Sequence, residues 1–324
     1  GRRVRGGDPS ELVQSLEEAV RAEERIEVLL RHQPVKTEGF VGNFRTWVQD
    51  IDSPRQRLLE HGVTIVATGA QEYRGSAYGL GQHPRVLTQG DLDALLAGKE
   101  PQGVAGPLPP IAELKDVAML LCVGPWDEMD GDQAEGFYCS RICCATAMKN
   151  AIALKEANPD TQVTVLYNRD IRTYGRLEAL YTQARRLGVL FVRYPAGERP
   201  RLSLEGDRPI LQVTDTALNQ ELHLEPDLLV LSAATLPAQG HRDLAEMFKF
   251  SCTLEGFFLE AHVKLQPVDF PSEGLFLAGM CHYPKLIEEA QTQALAAAAR
   301  AARILSKEHL EVGGVVAVVE QHKC

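Results

Sequence analysis

Four cysteines lie close together near the middle of the chain. Cys122 ends an apolar run, and Cys139, Cys143 and Cys144 follow in the segment YCSRICC. Four thiolates are the ligand set of a structural zinc ion or of an iron–sulfur cluster. Core packing is the alternative for each thiol taken singly, because a free cysteine behaves as a small hydrophobe. The tight, partly polar spacing is a poor fit to core packing, and two adjacent cysteines are a poor fit to a disulfide.

Two features of the cysteine segment favour iron–sulfur over zinc. Tetrahedral zinc usually uses two CxxC-like knuckles, and the chain contains no CxxC. Cys143 and Cys144 are predicted to begin a helix, whose N-terminal N–H groups and positive dipole end favour an anionic centre. The sequence therefore predicts an iron–sulfur site.

The composition excludes several classes of protein. A net charge of −10 over 324 residues argues against a nucleic-acid-binding surface. The chain has no apolar run near the roughly 20 residues of a membrane span, and no signal peptide, so we expect a cytoplasmic protein. Seven cysteines, an odd number, argue against a secreted disulfide framework. Because the sequence lacks an initial methionine and stops at Cys324, we expect a piece of a longer protein.

Helices and strands that alternate along the chain must position these cysteines. Helices are predicted at 9–24, with Asp8 as N-cap, at 88–98, with Thr88 as a candidate cap, and at 143–157, 176–188 and 284–308. Strands are predicted at 25–30, 40–49, 61–70, 116–124, 161–168, 189–194, 227–235 and 274–280, with a β-meander at 201–223. The continuous apolar runs at 61–70 and 116–124 are typical of strands buried on both faces. A Pro- and Gly-rich linker is expected at 98–111. This alternation predicts an α/β fold with a doubly wound parallel sheet.

Four sequence blocks in order resemble the A-subunit family of heterodisulfide reductase, which includes flavoprotein subunits of the quinone-interacting membrane-bound oxidoreductase. The blocks are CVGPWDE…YCSRICCATAMK, LYNRDIRTYGRLE, GFFLEAHVKLQPV and GLFLAGMCHYPKLIEEA, and the resemblance covers nearly the whole chain. It implies a truncated thioredoxin-reductase-like flavoprotein fold of two domains. Residues 1–110 and 266–324 would form an incomplete FAD domain, and residues 111–265 an insert built like a pyridine-nucleotide domain. The resemblance implies that the four cysteines of the insert bind a [4Fe–4S] cluster near the flavin.

The resemblance also implies a set of flavin-site residues. The cofactor-binding residues would be Ala67, Thr68, Gly69, Gly279, Met280, Pro284 and Lys285. Pro284 and Lys285 are expected to open the last helix, and the cation of Lys149 would stabilise an anionic reduced flavin. The alternatives are an ordinary strand–turn at VATG and a solvated helix lysine at position 149.

The chain departs from the family pattern in several places. It lacks the GxGxxG turn that opens an FAD domain, and Met280 stands where related flavoproteins have Asp, so only backbone N–H contacts from Gly279 onward carry over. There is no room for a ferredoxin-type insert at 50–60, and Cys324 is a candidate first ligand of a ferredoxin module. Because the insert lacks GxGxxG too, NAD(P)H binding in the usual mode is not expected. The arginines that follow 161–168 are interpreted as a polar strand-end cluster or a subunit contact; they are Arg169, Arg172 and Arg176.

The function that the resemblance implies is electron transfer. An oxidoreductase subunit would relay electrons between FAD and the cluster to other subunits of a heterodisulfide-reductase-like or quinone-interacting complex, with a homodimer as an alternative assembly. Two other functions are an NAD(P)H-dependent disulfide oxidoreductase, which would need a redox CxxC, and a zinc-stabilised interaction domain. The isolated chain is expected to be inactive, and the sequence leaves open whether it retains FAD or the cluster.

Overall fold

The structure is a computed structural model that describes residues 9–101, 103–104, 106–128 and 137–310. The helices of these residues are α1 (Pro9–Ala22), α2 (Gln89–Leu96), α3 (Cys143–Ala157), α4 (Glu178–Arg186), α5 (His241–Phe248) and α6 (Ile287–Leu305). The strands are β1 (His32–Phe40), β2 (Asn43–Asp50), β3 (Gln56–His61), β4 (Thr64–Val66), β5 (Ala70–Glu72), β6 (Val86–Thr88), β7 (Asp116–Val123), β8 (Gln162–Tyr167), β9 (Leu190–Arg193), β10 (Arg201–Ser203), β11 (Ile210–Asp215), β12 (Gln220–Leu224), β13 (Leu228–Ala233), β14 (Thr235–Pro237) and β15 (Leu275–Leu277).

The chain divides into two compact units. The first unit contains the described residues up to Val28 together with Ala70–Leu236. The second unit contains Leu29–Gly69 and the described residues from Pro237 onward. The assignment of 1–110, 111–265 and 266–324 to an FAD domain and an insert stays a prediction.

A five-stranded parallel sheet forms the centre of the first unit, in the order β6-β13-β7-β8-β9. Side chains of β7 alternate between its two faces, because successive strand residues point to opposite sides. Val117 and Met119 pack with Met148 of α3, whereas Ala118 and Leu120 pack with Leu211 of β11. Helices thus cover one face and the meander β10–β12 covers the other, which confirms the predicted α/β class and parallel sheet.

The second unit contains two small sheets and an aromatic core. Strands β1, β2 and β3 form an antiparallel meander, and β4 pairs with β15 in parallel. Rings of Phe250 and Phe270 stack with centroids 3.6 Å apart in the core. Ala297 and Ala301 of α6 are buried in one cluster with Phe276 of β15, so small side chains let this helix approach the strand closely.

Several predicted elements are confirmed. Helix α1 begins at Pro9, and its predicted cap Asp8 lies outside the described residues. Helix α2 is capped as predicted: the Asp91 N–H donates to Thr88 Oγ1 at 3.2 Å, and the Thr88 N–H donates to the Asp91 carboxylate at 3.0 Å. The meander predicted at 201–223 is present as β10–β12.

Three strand predictions in the first 70 residues are wrong in whole or part. The segment 25–30 forms turns and irregular backbone, and its apolar Ile26 and Leu30 are exposed. The segment 40–49 is interrupted at a hairpin turn where Gly42 adopts a φ of 81°, which ends β1 before β2 begins. In 61–70 the predicted single strand is broken up: His61 ends β3, Ala70 begins β5, and between them only the three residues of β4 are strand. Ile65 is 41% exposed because β4 has a single neighbouring strand.

The last helix begins later than predicted. Pro284 and Lys285 do not open it, because the Glu289 carboxylate accepts the Leu286 N–H at 2.8 Å and fixes the first turn of α6 at Ile287. Helix α5 was not predicted. No helix among the described residues is both long and apolar enough to span a membrane.

Candidate functional site

The thiols meet at the carboxyl edge of the parallel sheet. Cys122 is the penultimate residue of β7 and has a φ of 63°, in the left-handed region that non-glycine residues seldom occupy. Beside it, the register between β13 and β7 shifts between Leu231 and Ala233. The indole N–H of Trp126 donates to the Cys122 carbonyl at 3.0 Å. These features turn the end of β7 away from the regular sheet, at a kind of position where strain often accompanies function.

Hydrogen bonds hold the loop that carries Cys139. The Tyr138 hydroxyl donates to the Thr235 carbonyl at 2.6 Å, and the Thr235 N–H donates to Ser140 Oγ at 2.9 Å. Cys143 and Cys144 are the first residues of α3, as predicted. Cys122, Cys139 and Cys143 line one small cavity of about 10 Å³.

The four thiols influence each other electrostatically. Burial, followed by the neighbouring Cys144 and Cys139, raises the pKa of Cys122 to about 12. A hydrogen bond between Cys143 and Cys144 raises the pKa of Cys143 and lowers that of Cys144. Ionisation of one thiol in this cluster therefore disfavours ionisation of its neighbours, as expected where sulfur atoms converge.

Two arginines that follow β8 reach this cluster. The backbone N–H of Arg172 is hydrogen-bonded to the Cys144 sulfur, and this bond and the guanidinium lower the pKa of Cys144. The Arg169 guanidinium lies 3.6 Å above the Phe137 ring and draws down the pKa of Cys122. Sequence reasoning missed this proximity. The predicted parallel sheet could have revealed that these arginines lie near the cysteines, because residues that follow adjacent parallel strands meet at one edge.

The donor set fits an iron–sulfur cluster in kind and number, since all four groups are thiols and two of them begin helix α3. Within the described ranges, however, no group of three or more His, Cys, Asp or Glu residues is arranged to hold a metal ion. A cavity of about 10 Å³ has room for one water molecule at most.

A second candidate site lies in the second unit, where two parallel strands end. Because β4 and β15 pair in parallel, with Val66 opposite Leu277, the residues that follow them share an edge. Gly69 and Gly279 adopt φ values of 73° and 79°, and a Cβ atom on either would meet no atom within 4 Å. Such open, side-chain-free backbone permits close approach of a ligand.

The predicted flavin residues meet at this edge. Ala67 and Thr68 are exposed, and Thr68 Oγ1 lies 2.7 Å from Nε2 of the buried His241. Met280 is half-buried and supplies no charge in place of Asp. Pro284 and Lys285 are buried, and Lys285 Nζ donates to the Gly279 carbonyl at 2.5 Å.

Buried polar groups that the sequence did not single out surround the Gly279 turn. The His282 ring lies between Glu260, at 2.6 Å from Nε2, and Gln293, at 2.8 Å from Nδ1. Gln293 Oε1 accepts the Gly279 N–H at 2.8 Å, so the N–H predicted to face a flavin is already paired. No motif predicts this network, because its side chains come from separate segments.

Lys149 lies on α3, in the first unit, and is half-buried. It is not among the main groups that shift the pKa values of Cys122, Cys143 and Cys144. Its predicted role toward a reduced flavin stays a prediction.

The chain is similar in sequence to subunits of archaeal reductases. It is 36% identical over 285 residues to the A-subunit of the H(2):CoB-CoM heterodisulfide,ferredoxin reductase of Methanothermobacter thermautotrophicus, a match that covers 86% of this chain and 42% of the relative. It is 34% identical over 253 residues to the second iron-sulfur A-subunit of the CoB--CoM heterodisulfide reductase of Methanopyrus kandleri, covering 76% of this chain and 37% of the relative. The chain thus spans well under half of these relatives. No protein-family model matches it.

Solved structures with a similar fold are flavoprotein reductases. Thioredoxin reductase of T. acidophilum superposes with a TM-score of 0.58 at 12% identity, over 92% of this chain and 81% of that one. Thioredoxin reductase of Lactococcus lactis gives a TM-score of 0.51 at 13% identity, over 85% of this chain and 74% of that one. At these identities the likeness establishes the fold, which is the thioredoxin-reductase-like fold predicted from the sequence.

Proposed function

Because the chain belongs to the A-subunit family of heterodisulfide reductase, we propose that it is an electron-transfer subunit that relays electrons between FAD and a [4Fe–4S] cluster to partner subunits. The observation that carries this proposal is the convergence of four thiols at the carboxyl edge of the parallel sheet. In this proposal the partners are the other subunits of a heterodisulfide-reductase-like or quinone-interacting complex.

Cys122, Cys139, Cys143 and Cys144 would hold the cluster. When bound, the cluster supplies one-electron transfer. The positive charges of Arg169 and Arg172 and the N–H groups at the start of α3 offset the negative charge that thiolate ligation brings. Supporting this assignment, Arg172 helps to lower the pKa of Cys144, and the charge of Arg169 opposes the rise in the pKa of Cys122.

The flavin would lie against the strand ends of the second unit. Ala67, Thr68 and Gly69 offer exposed backbone beside the Gly279 turn, and Lys285 brings a buried positive charge to that turn. When bound, FAD supplies two-electron chemistry that a one-electron centre can divide. The proposal keeps Lys149 as the cation that stabilises the reduced flavin, an assignment that rests on the family resemblance.

Metal and sulfide analysis of the chain purified without oxygen tests the cluster. We expect about four iron and four sulfide per chain, and loss of both in Cys143→Ser. Cys252→Ser is the matched control, since Cys252 belongs to the second unit and the four thiols belong to the first. One zinc per chain in native material, or iron retained in Cys143→Ser, would contradict the proposal.

Flavin binding needs a separate measurement. Titration of FAD, followed by quenching of its fluorescence, should show binding that Gly279→Val weakens, because a side chain there closes the open backbone and strains a φ of 79°. Gly188→Val is a control with a similar φ of 84° in the first unit. Equal affinities of the two variants would exclude the Gly279 turn as the flavin site.

A further inference from the structure

A continuous chain of hydrogen bonds runs through the Gly279 turn. It passes from the Glu260 carboxylate to His282, to the Gln293 amide, to the Gly279 N–H, and from the Gly279 carbonyl to Lys285. His282 and Lys285 are 7% and 4% exposed. The backbone of one glycine is therefore held on both sides by side chains, the half-buried Gln293 and the buried Lys285.

The chemistry of the partners fixes every proton in this chain. A backbone N–H can only donate, so the oxygen of the Gln293 amide must face Gly279. The amide nitrogen then faces His282 Nδ1 and can only donate, so Nδ1 must be the bare, accepting nitrogen. The ring proton consequently resides on Nε2, where it points at the Glu260 carboxylate. The arrangement is complete only while His282 is neutral.

We propose that Glu260, His282 and Gln293 are positioning residues that link the protonation of His282 to the direction in which the Gly279 N–H points. When Nδ1 takes a proton from water, it becomes a donor and can no longer accept from Gln293. The amide must turn over so that its oxygen accepts from Nδ1. Its nitrogen then faces the Gly279 N–H, and two donors cannot pair, so this N–H is released from Gln293.

The released N–H belongs to the turn that the proposed function places against the flavin, and in that respect the inference rests on the proposed function. An N–H freed beside an electron acceptor can donate to negative charge that develops on it. This relay, formed by Glu260, His282 and Gln293, would therefore make an extra hydrogen-bond donor available when His282 is protonated. This role is positioning, because none of the three side chains needs to touch the ligand.

The groups that face His282 have opposing effects on its pKa. Burial lowers the pKa of the ring, the Glu260 carboxylate raises it, and the Lys285 charge lowers it. The Tyr283 ring is tilted against the imidazole, with centroids 4.3 Å apart. The net direction is downward, so the switch operates on the acid side of the ordinary histidine range.

Nuclear magnetic resonance of the intact chain reads the relay without any ligand. Alanine labelled with ¹³C at its carbonyl and ¹⁵N-glycine together select glycines that follow alanine, which are Gly98, Gly106, Gly197 and Gly279. With the histidine rings labelled as well, we expect the Gly279 amide to shift with pH at the same midpoint as the His282 ring. The other three glycines serve as internal controls.

Two variants separate the links of the relay. In Gln293→Met the ring should still titrate while the Gly279 amide becomes independent of pH. In His282→Asn an acceptor remains near the place of Nδ1 but the titration disappears. His223→Asn, at an exposed histidine of β12, should leave the Gly279 shift unchanged.

A Gly279 amide that stays constant in the wild-type chain while His282 titrates would overturn the proposal, as would a Gln293→Met amide that still follows the ring. Both results concern the protein alone. If the FAD titration shows no binding, the proposed function fails at this site, whereas the relay is still decided by the amide shifts.

Discussion

Strands β7 and β4 look alike in the sequence but differ in the structure. Both occur in continuous apolar runs, at 116–124 and 61–70, and both end at a candidate site. Strand β7 has a neighbour on each side, β13 and β8, whereas β4 has only β15. Leu120 of β7 is fully buried and Ile65 of β4 is 41% exposed. An apolar run therefore reports that a segment avoids water, without reporting how many strands flank it.

This difference decides how each site is held in place. At the end of β7, the backbone that carries Cys122 belongs to a strand flanked by β13 and β8. At the ends of β4 and β15, three-residue strands provide few backbone bonds, and side chains do the holding. Gln293 and Lys285 clamp Gly279 there. A sheet of two strands is only marginally stable by itself. The polar network around Gly279 therefore adds contacts that the small sheet does not provide.

The largest effect that distinguishes the two strands should come from core truncation. Leu120→Ala should lower the free energy of unfolding by about 2–5 kcal/mol, because it opens a cavity in a packed sheet. Ile65→Ala should change it by about 0.5 kcal/mol, as expected for a side chain at the surface. Urea denaturation followed by circular dichroism measures both.

Similar losses for Leu120→Ala and Ile65→Ala would contradict the comparison, because the two strands would then be equally buried. A second variant in β7 tests whether the loss of stability depends on how deeply the side chain is buried. Cys122→Ser changes a half-buried residue of that strand, and should cost less than Leu120→Ala.

Much of the first unit could be predicted from the sequence because its signals are local. The apolar run of β7, the cap formed by Thr88 and Asp91, and the cysteines at the start of α3 are each encoded within a few residues. The wrong predictions lie where contacts between distant segments determine the local structure. Leu30 belongs to an apolar segment that found no strand partner, and Pro284 precedes α6 because the Glu289 carboxylate sets the start of that helix.

A smaller effect should separate the ends of the strands. Cys122 adopts a φ of 63° with a side chain, and Gly279 adopts 79° without one. The left-handed conformation costs an L-residue about 1–2 kcal/mol, so Cys122→Gly should be more stable than Cys122→Ala by about that amount. Gly279→Ala should lose a similar amount, because its new Cβ meets no atom and only the backbone is strained.

Denaturation of the metal-free chain measures the free energy of unfolding of the three variants Cys122→Gly, Cys122→Ala and Gly279→Ala. Ala118→Gly, on regular backbone of β7, is the matched control and should be less stable than wild type, because glycine costs more conformational entropy on folding. Cys122→Gly no more stable than Cys122→Ala would mean that this strand end is unstrained, and the contrast between the two ends would be lost.

The candidate sites differ in the same way as the strands. Four cysteines within 23 residues can be found by their spacing. The side chains of Glu260, His282 and Gln293 are spread over separate segments and carry no motif, so only the folded chain brings them together. Arg169 and Arg172 are an intermediate case, since they follow a strand of the predicted parallel sheet and such positions share one edge of the sheet.

The smallest expected effect is the pH dependence of stability in the second unit. The His282 pKa is lowered by burial in the folded chain, so the unfolded chain binds more protons below the ordinary value of 6.5. Stability from this group is therefore complete above that value and falls as the pH drops toward the folded pKa. Glu260 acts in a lower window: burial raises its pKa, but hydrogen bonds from its own backbone and from His282 lower it overall. Its contribution is kept above 4.5 and lost below.

Thermal unfolding between pH 7.5 and pH 5 should show a shallower acid loss in His282→Asn than in the wild-type chain. His241 is also buried and has a lowered pKa, so part of the loss remains in the variant. His223→Asn should leave the wild-type profile in place, because that ring is exposed. If His282→Asn and wild type lose stability in parallel across this range, His282 is not held neutral by its surroundings, and the second site is no more closed to water than an ordinary surface turn.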